Sequence, residues 1–217
     1  MTQRHVPPIL AGASVAAIGI ALILLVGLVI GRWPFDFDHA IILSLRDWGG
    51  PAWLPGAAID LTALGGGTAL TIIVAVVAGL LFIQRLWLTG LATIAASASG
   101  GLIVAFVKTQ IGRARPDIVD HLVVVSHASF PSGHSANSAV VYLTLAGLEQ
   151  QVTRDPATRR YVMVVAFLLV GAIGCSRVYL GVHWPSDVLA GWSFGTLWAL
   201  AWWMATEKVR ESIGGER

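Results

Sequence analysis

The sequence predicts an all-α fold: an integral membrane six-helix bundle with a short interfacial amphipathic helix between spans one and two. Three observations predict it. Only 12% of the 217 residues are Asp, Glu, Lys or Arg, while 56% are apolar and 24 are glycine. Soluble domains carry about 25% charged residues and roughly 45–50% apolar residues with glycine included. The apolar residues gather into stretches of bilayer length, about 20 residues each. Tryptophans at 33, 87, 184, 202 and 203 stand at the ends of those stretches, as an interfacial aromatic belt requires. Such an inventory cannot clothe a water-facing exterior, and it lacks the low hydrophobicity and high net charge of a disordered chain.

Residues 9–30 form the first span, uncharged and too long for a signal-peptide core of about 7–15 residues. Phe37, Ile41, Ile42, Leu45 and Trp48 then recur at helical spacing, with Asp38, Arg46 and Asp47 on the other side. That pattern predicts a helix lying in the interface. The second span covers residues 61–84 and the third 86–107, where Ala95, Ala96, Ser97, Ser99, Gly100 and Gly101 favour close helix contact. The fourth runs over 131–151. The fifth, 161–180, carries Arg177 near its end, where a long side chain can snorkel. The sixth covers 185–205. Together they predict one membrane domain over 1–217, with the catalytic core helices in 59–205.

Six spans place both termini on one side of the membrane. That side holds Arg4, Arg85, Arg154, Arg159, Arg160, Lys208, Arg210 and Arg217, and the other holds Arg32, Arg46, Lys108, Arg113, Arg115 and Arg177. Four of these last six belong to the polar segments described next, where function fixes their position. Eight cations against two then put the termini inside by the positive-inside rule, so the loops after spans one, three and five face outward. The net charge of +2, spread over single and paired basic residues, offers no stripe for nucleic acid. The lone Cys175 excludes an internal disulfide and a cysteine-based metal cluster, and in its apolar run it is expected to pack.

The outward loops carry the unusual polar residues. KTQIGRARPD places Lys108, Arg113 and Arg115 before Pro116. PSGHS opens the fourth span, with Pro131 suited to a first helical turn. Ser132 and Gly133 there make either a plain capping turn or, with the helix N-terminus, an anion cradle. His134 beside such a cradle is a ready proton donor. SRVYLGVHWPSD contains His183 and, four residues on, Asp187, whose carboxylate can fix the imidazole tautomer and free the other nitrogen for attack. A lone interfacial histidine is commonly structural, but this one is paired and faces a second histidine across cations. Lys108, Arg115 and Arg177 can surround the three non-bridging oxygens of a phosphoryl group. Arg113 either joins them or only anchors the interface. No acidic cluster flanks the histidines, so no metal is expected. His121 and His127 receive no role, and Asp60 has no partner visible in the sequence.

These segments resemble the signature of the phosphatidic acid phosphatase type 2 and vanadium haloperoxidase superfamily, in its membrane-bound lipid phosphatase branch. That signature reads K-x6-R-P, then P-S-G-H, then S-R-x5-H-x3-D. Lys108, Arg115 and Pro116 fill the first part, Pro131, Ser132, Gly133 and His134 the second, and Ser176, Arg177, His183 and Asp187 the third. The resemblance implies that His183 is a nucleophile forming a phosphohistidine, that Asp187 orients it, and that His134 protonates the leaving oxygen and then helps activate water. Lys108, Arg115, Ser132, the Gly133 amide and Arg177 would hold the phosphoryl oxygens, with no metal and no cofactor. Phosphoryl transfer needs mainly positioning and electrostatics, and vanadate should inhibit. The implied function is a lipid phosphatase of a bacterial inner membrane with its site facing outward. Phosphatidic acid, phosphatidylglycerol phosphate and undecaprenyl diphosphate are the substrate candidates. A lipid phosphotransferase using the same intermediate is the alternative. A haloperoxidase fits the spans poorly, and a transporter fits poorly because the charges gather at one face instead of the midplane.

Overall fold

The computed structural model describes residues 34–215 and four earlier positions, 21, 25, 27 and 29. Apart from those four positions, the predicted first span lies outside the described residues. Among the described residues the chain forms seven helices and no strand: α1 (Asp36–Trp48), α2 (Leu54–Ala63), α3 (Gly67–Ile83), α4 (Trp87–Ile111), α5 (Gly133–Val152), α6 (Pro156–Tyr179) and α7 (Pro185–Ser212).

The count of six spans is not reached within this set. Helices α4, α6 and α7 are long and apolar enough to cross a bilayer, and α2 with α3 pass together as a pair bent by 49°. The second span was expected to be continuous over 61–84, and instead it breaks at Leu64–Gly66. A Cβ on Gly65 would lie 2.5 Å from Ile173 Cγ2 and 3.4 Å from His134 Cβ, so the break lets the chain pass close to α5 and α6. The 20-residue helix α5 stands where the fourth span was expected. It packs against α4, α6 and α7, so its serines, Asn137 and Thr144 face protein more than lipid, and it needs less hydropathy than an outer helix.

Two core layers hold α5 in the centre. Val104, Val107, Phe130, Ala136, Val140 and Phe194 join α4, α5 and α7. Ala139, Leu143, Ala146, Ala166, Val170 and Ala199 join α5, α6 and α7. The contact between α5 and α7 is close because Gly191 and Gly195 face it: a Cβ on Gly195 would sit 2.5 Å from Ala139 Cβ and 2.7 Å from the Ala136 carbonyl. Small residues four apart permit such an approach of two helix backbones.

The interfacial helix is present as α1, but its faces differ from expectation. Asp38, expected on the polar side with Arg46 and Asp47, is fully buried, whereas Phe37 and Ile41 remain exposed. Ile42 pins α1 to Val178, Trp184 and Val188 at the junction of α6 and α7. A buried carboxylate requires compensation, and Arg113 supplies it. Cys175, expected to pack, is exposed on α6, where it lines an apolar groove shared with α1, α2 and α7.

Candidate active site

Four helix ends and one loop converge at one end of the bundle. Helix α4 stops at Gly112, whose left-handed backbone (φ 61°) closes the last turn onto the Lys108 carbonyl. Lys108 therefore projects from the final turn of α4. Ser132 caps α5, accepting from the Ser135 amide and hydroxyl, so Gly133 and His134 fall in the first turn. Helix α6 ends just beyond Arg177, and a turn at Gly181 (φ 74°) carries the chain through His183 into Pro185, the first residue of α7. Asp187, in the first turn of α7, reaches back to accept from the Trp184 amide at 3.0 Å. An acid at this position complements the helix dipole. The Ser132 amide donates to the Asp187 carbonyl at 3.1 Å, which fastens the start of α5 to the start of α7.

Lys108, Arg115, Gly133, His134, Arg177 and His183 line one cavity of about 920 Å³. Its remaining wall includes Thr62, Ala105 and the apolar loop at 123–125. His183 is 2% exposed. Its Nε2 lies 3.2 Å from Arg115 Nη1, and a guanidinium only donates. Nε2 is therefore the unprotonated nitrogen, and Nδ1 carries the proton, 3.4 Å from Asp187 Oδ2 and 3.3 Å from Ser129 Oγ. Burial pulls the imidazole down to about 3, against the opposing pull of Asp187, so the ring is neutral near pH 7.

Two of the three cations are held by carbonyls. Lys108 Nζ donates to the carbonyls of Ala128 (2.7 Å) and Ser129 (3.3 Å). Arg115 donates to the carbonyls of His127, Val182 and Ser126, and burial lowers its pKa somewhat from the ordinary guanidinium value. Arg177, expected to snorkel, is instead 4% exposed and turns into the bundle, where its Nη1 donates to Thr62 Oγ1 at 2.9 Å. Its buried Nε has no hydrogen-bond partner among the described residues. A buried donor left unpaired is costly, and an anion in the adjoining cavity would satisfy it.

Of the residues singled out in the sequence, the structure brings His183, His134, Asp187, Lys108, Arg115, Gly133 and Arg177 together. Ser132 lies beside them, but its hydroxyl is fully buried in the helix cap and does not line the cavity. Arg113 is no surface anchor. It is 5% exposed, its Nη1 meets Asp187 Oδ1 at 2.6 Å and its Nη2 meets Asp38 Oδ2 at 3.2 Å. Its guanidinium also lies 5.6 Å from the centre of the Trp184 ring. Sequence reasoning missed Asp38, Ser129 and Thr62. Ser129 donates to Asp187 Oδ2 at 2.5 Å, and two residues before PSGH it gave no signal of its own. His121 bonds the Pro116 carbonyl, while His127 lines the cavity in a left-handed conformation (φ 68°). Asp60 is exposed. Among the described residues no three His, Cys, Asp or Glu side chains converge as metal ligands; the positive charge of the cavity comes from Lys108, Arg115 and Arg177.

Fold and site together define a helical membrane protein whose cationic cavity contains an imidazole backed by an aspartate. Residues 86–211 match the model of the PAP2 superfamily, and the chain belongs to that superfamily. It is 37% identical over 147 residues to phosphatidylglycerophosphatase B of Bacillus subtilis strain 168, covering 67% of this chain and 71% of the relative. It is 36% identical over 110 residues to a lipid A 1-phosphatase of Rhizobium johnstonii, of whose length it spans 41%. The crystal structure of a transmembrane PAP2-type phosphatidylglycerolphosphate phosphatase from Bacillus subtilis superposes with a TM-score of 0.73 at 28% identity. That superposition covers 91% of this chain and 96% of the other.

Proposed function

We propose that the protein is a membrane lipid phosphatase that hydrolyses the phosphomonoester or diphosphate of a lipid through a phosphohistidine on His183. The carrying observation is the convergence of Lys108, Arg115, Arg177, His134 and His183 on a single cavity, with the Arg177 Nε unpaired. The names of the similar proteins, phosphatidylglycerophosphatase and lipid A phosphatase, support a lipid phosphate as substrate. So does the apolar wall at 123–125, which suits the hydrocarbon next to a headgroup. Phosphatidic acid, phosphatidylglycerol phosphate and undecaprenyl diphosphate all present the required group.

In the first step the Nε2 lone pair of His183 attacks phosphorus. An N–P bond forms, the P–O bond to the lipid breaks, and its electron pair leaves on oxygen, which takes a proton from His134, cationic in the complex beside the bound phosphate anion. The imidazole keeps its Nδ1 proton and becomes cationic, stabilised by Asp187. In the second step His134, now neutral, accepts a proton from water, whose oxygen attacks phosphorus and releases His183. Lys108, Arg115 and Arg177 neutralise the three phosphoryl oxygens throughout, which is where most of the catalytic stabilisation of such transfers lies. Gly133 leaves the floor of the cavity open, since a Cβ there would come within 3.4 Å of Lys108 Cε. Ser132 acts by building the α5 start that aims the Gly133 amide. The cations outside the site support termini inside a bacterial inner membrane and a site facing outward.

The test is phosphate release by purified protein in detergent with EDTA, across the three lipids, for wild type and His183→Ala. Wild type is expected to release phosphate from at least one lipid, and His183→Ala to lose roughly a thousandfold or more, as loss of a nucleophile does. Absence of release from every lipid would refute the phosphatase, and unchanged turnover in His183→Ala would refute the phosphohistidine.

A further inference from the structure

Asp187 is not the end of the chain of contacts behind His183. Its Oδ1 is held by Arg113, and the other prong of that guanidinium is held by Asp38 of the interfacial helix α1. Asp38 Oδ1 also accepts the Ser186 amide at 2.8 Å, and Asp38 Oδ2 accepts the Ser186 hydroxyl at 2.7 Å and the Phe35 amide at 3.2 Å. Asp38 and Asp187 are fully buried, and Arg113 nearly so. Paired with Asp187 alone, Arg113 would cancel the charge that stabilises a cationic imidazole. Placed between two carboxylates, it leaves the cluster with one net negative charge, on the Nδ1 side of His183. Ionic contacts in so dry a setting are screened little.

We propose that Asp38 is a positioning residue for the reaction: by engaging Arg113 and the first turn of α7, it preserves the negative charge behind His183 and the angle of Asp187. This rests on the reading of His183 as nucleophile. When the N–P bond forms and the lipid oxygen departs with the electron pair, the imidazole gains one positive charge, and the Asp38–Arg113–Asp187 cluster becomes balanced. Asp38 never touches substrate. Its effect therefore falls on the rate of phosphoenzyme formation and leaves lipid binding, set by Lys108, Arg115 and Arg177, unaltered.

The experiment measures kcat, KM and the rate of alkali-quenched phosphoenzyme formation in detergent micelles with whichever of the three lipids wild type hydrolyses, radiolabelled in its phosphate, alongside the thermal midpoint of each variant. Asp38→Asn keeps the shape and removes the charge. Its kcat and phosphoenzyme rate are expected to fall roughly 10- to 100-fold, the range known for partners behind reacting groups at metal sites, with KM unchanged. Asp38→Glu restores most of the rate, and Asp47→Asn, an exposed acid of the same helix, has no effect. The double variant Asp38→Asn/Arg113→Gln, which returns the cluster to one net negative charge, is expected to be faster than Asp38→Asn alone. Wild-type kinetics in Asp38→Asn overturn the proposal while leaving the phosphatase intact. If Asp38→Asn does not fold, the double variant and Asp38→Glu decide. Failure of both to form phosphoenzyme at a wild-type thermal midpoint, or loss of thermal midpoint alone at full rate, overturns it equally. Wild-type protein that forms no phosphoenzyme refutes the underlying mechanism instead.

Discussion

His183 is neutral for a reason visible in its two neighbours and its depth. Arg115 faces one ring nitrogen, Asp187 and Ser129 face the other, and the ring is almost wholly out of water. Burial lowers its pKa to about 3 from the ordinary value near 6.5. Between these two values the unfolded chain binds a proton that the folded protein does not, so stability rises with pH across that window. The stabilisation is complete above about pH 6.5 and is lost progressively as pH falls towards 3. The thermal midpoint in detergent is expected to drop over this interval for wild type and to drop less for His183→Gln, which has no imidazole to charge. Equal slopes for the two proteins would show that His183 is not the group responsible. At this scale the sequence was informative about residues that meet the cavity or stand directly behind His183, because Lys108, Arg115, His134, Arg177, His183 and Asp187 are polar groups that an apolar bundle does not otherwise need. It was uninformative about Asp38, Arg113 and Ser129, whose polarity has an ordinary explanation at a membrane surface until their burial is known.

Helix α7 delivers Asp187 to the site because its first turns lie directly on the start of α5. A Cβ on Gly191 would come within 2.9 Å of the Ser132 carbonyl and 3.0 Å of the Ala136 amide, and both are backbone atoms that cannot rotate away. Gly191→Val is therefore expected to push the two helices apart, with a cost of about 1–3 kcal/mol typical of overpacking. It should lower the thermal midpoint and, by stretching the Ser132–Asp187 bond, the rate of phosphate release. Gly101→Ala on α4, where nothing lies within 4 Å, should change neither. Helix starts and stops were legible from local chemistry: Pro131 and Ser132 before α5, Pro185 opening α7. The break between α2 and α3 was not read, because Gly65, Gly66 and Gly67 put no charge into an apolar stretch; these glycines disfavour a continuous helix, and the proximity of Ile173 and His134 to Gly65 shows what the bend accommodates. Helix α5 shows the converse, a helix in the predicted place whose apolarity falls short of a span because its neighbours are other helices.

The whole molecule divides its charge between two ends. Lys108, Arg113, Arg115 and Arg177 gather where α4 and α6 finish and α5 and α7 begin. At the opposite end, Arg159 folds onto the Thr153 carbonyl and Arg210 of α7 bonds Thr89 at the start of α4. Arg154, in the connection between α5 and α6, and Arg160 and Lys208, by their places in α6 and α7, belong to the same end. Cations that no cavity requires are the ones free to obey the positive-inside rule, so this second end is expected in the cytoplasm. Cys175 is the chain's one cysteine, and replacing it with serine gives a background for single-thiol labelling. In that background, Val124→Cys, at a fully exposed position of the loop beside the cavity, should react with a membrane-impermeant maleimide in intact spheroplasts. Lys208→Cys, at a side chain 44% exposed, should react only after the membrane is permeabilised. The reverse pattern would place the cavity in the cytoplasm. A lipid phosphate would then have to be presented from the inner leaflet, and the charge bias would have to be credited to packing at the helix ends instead of insertion.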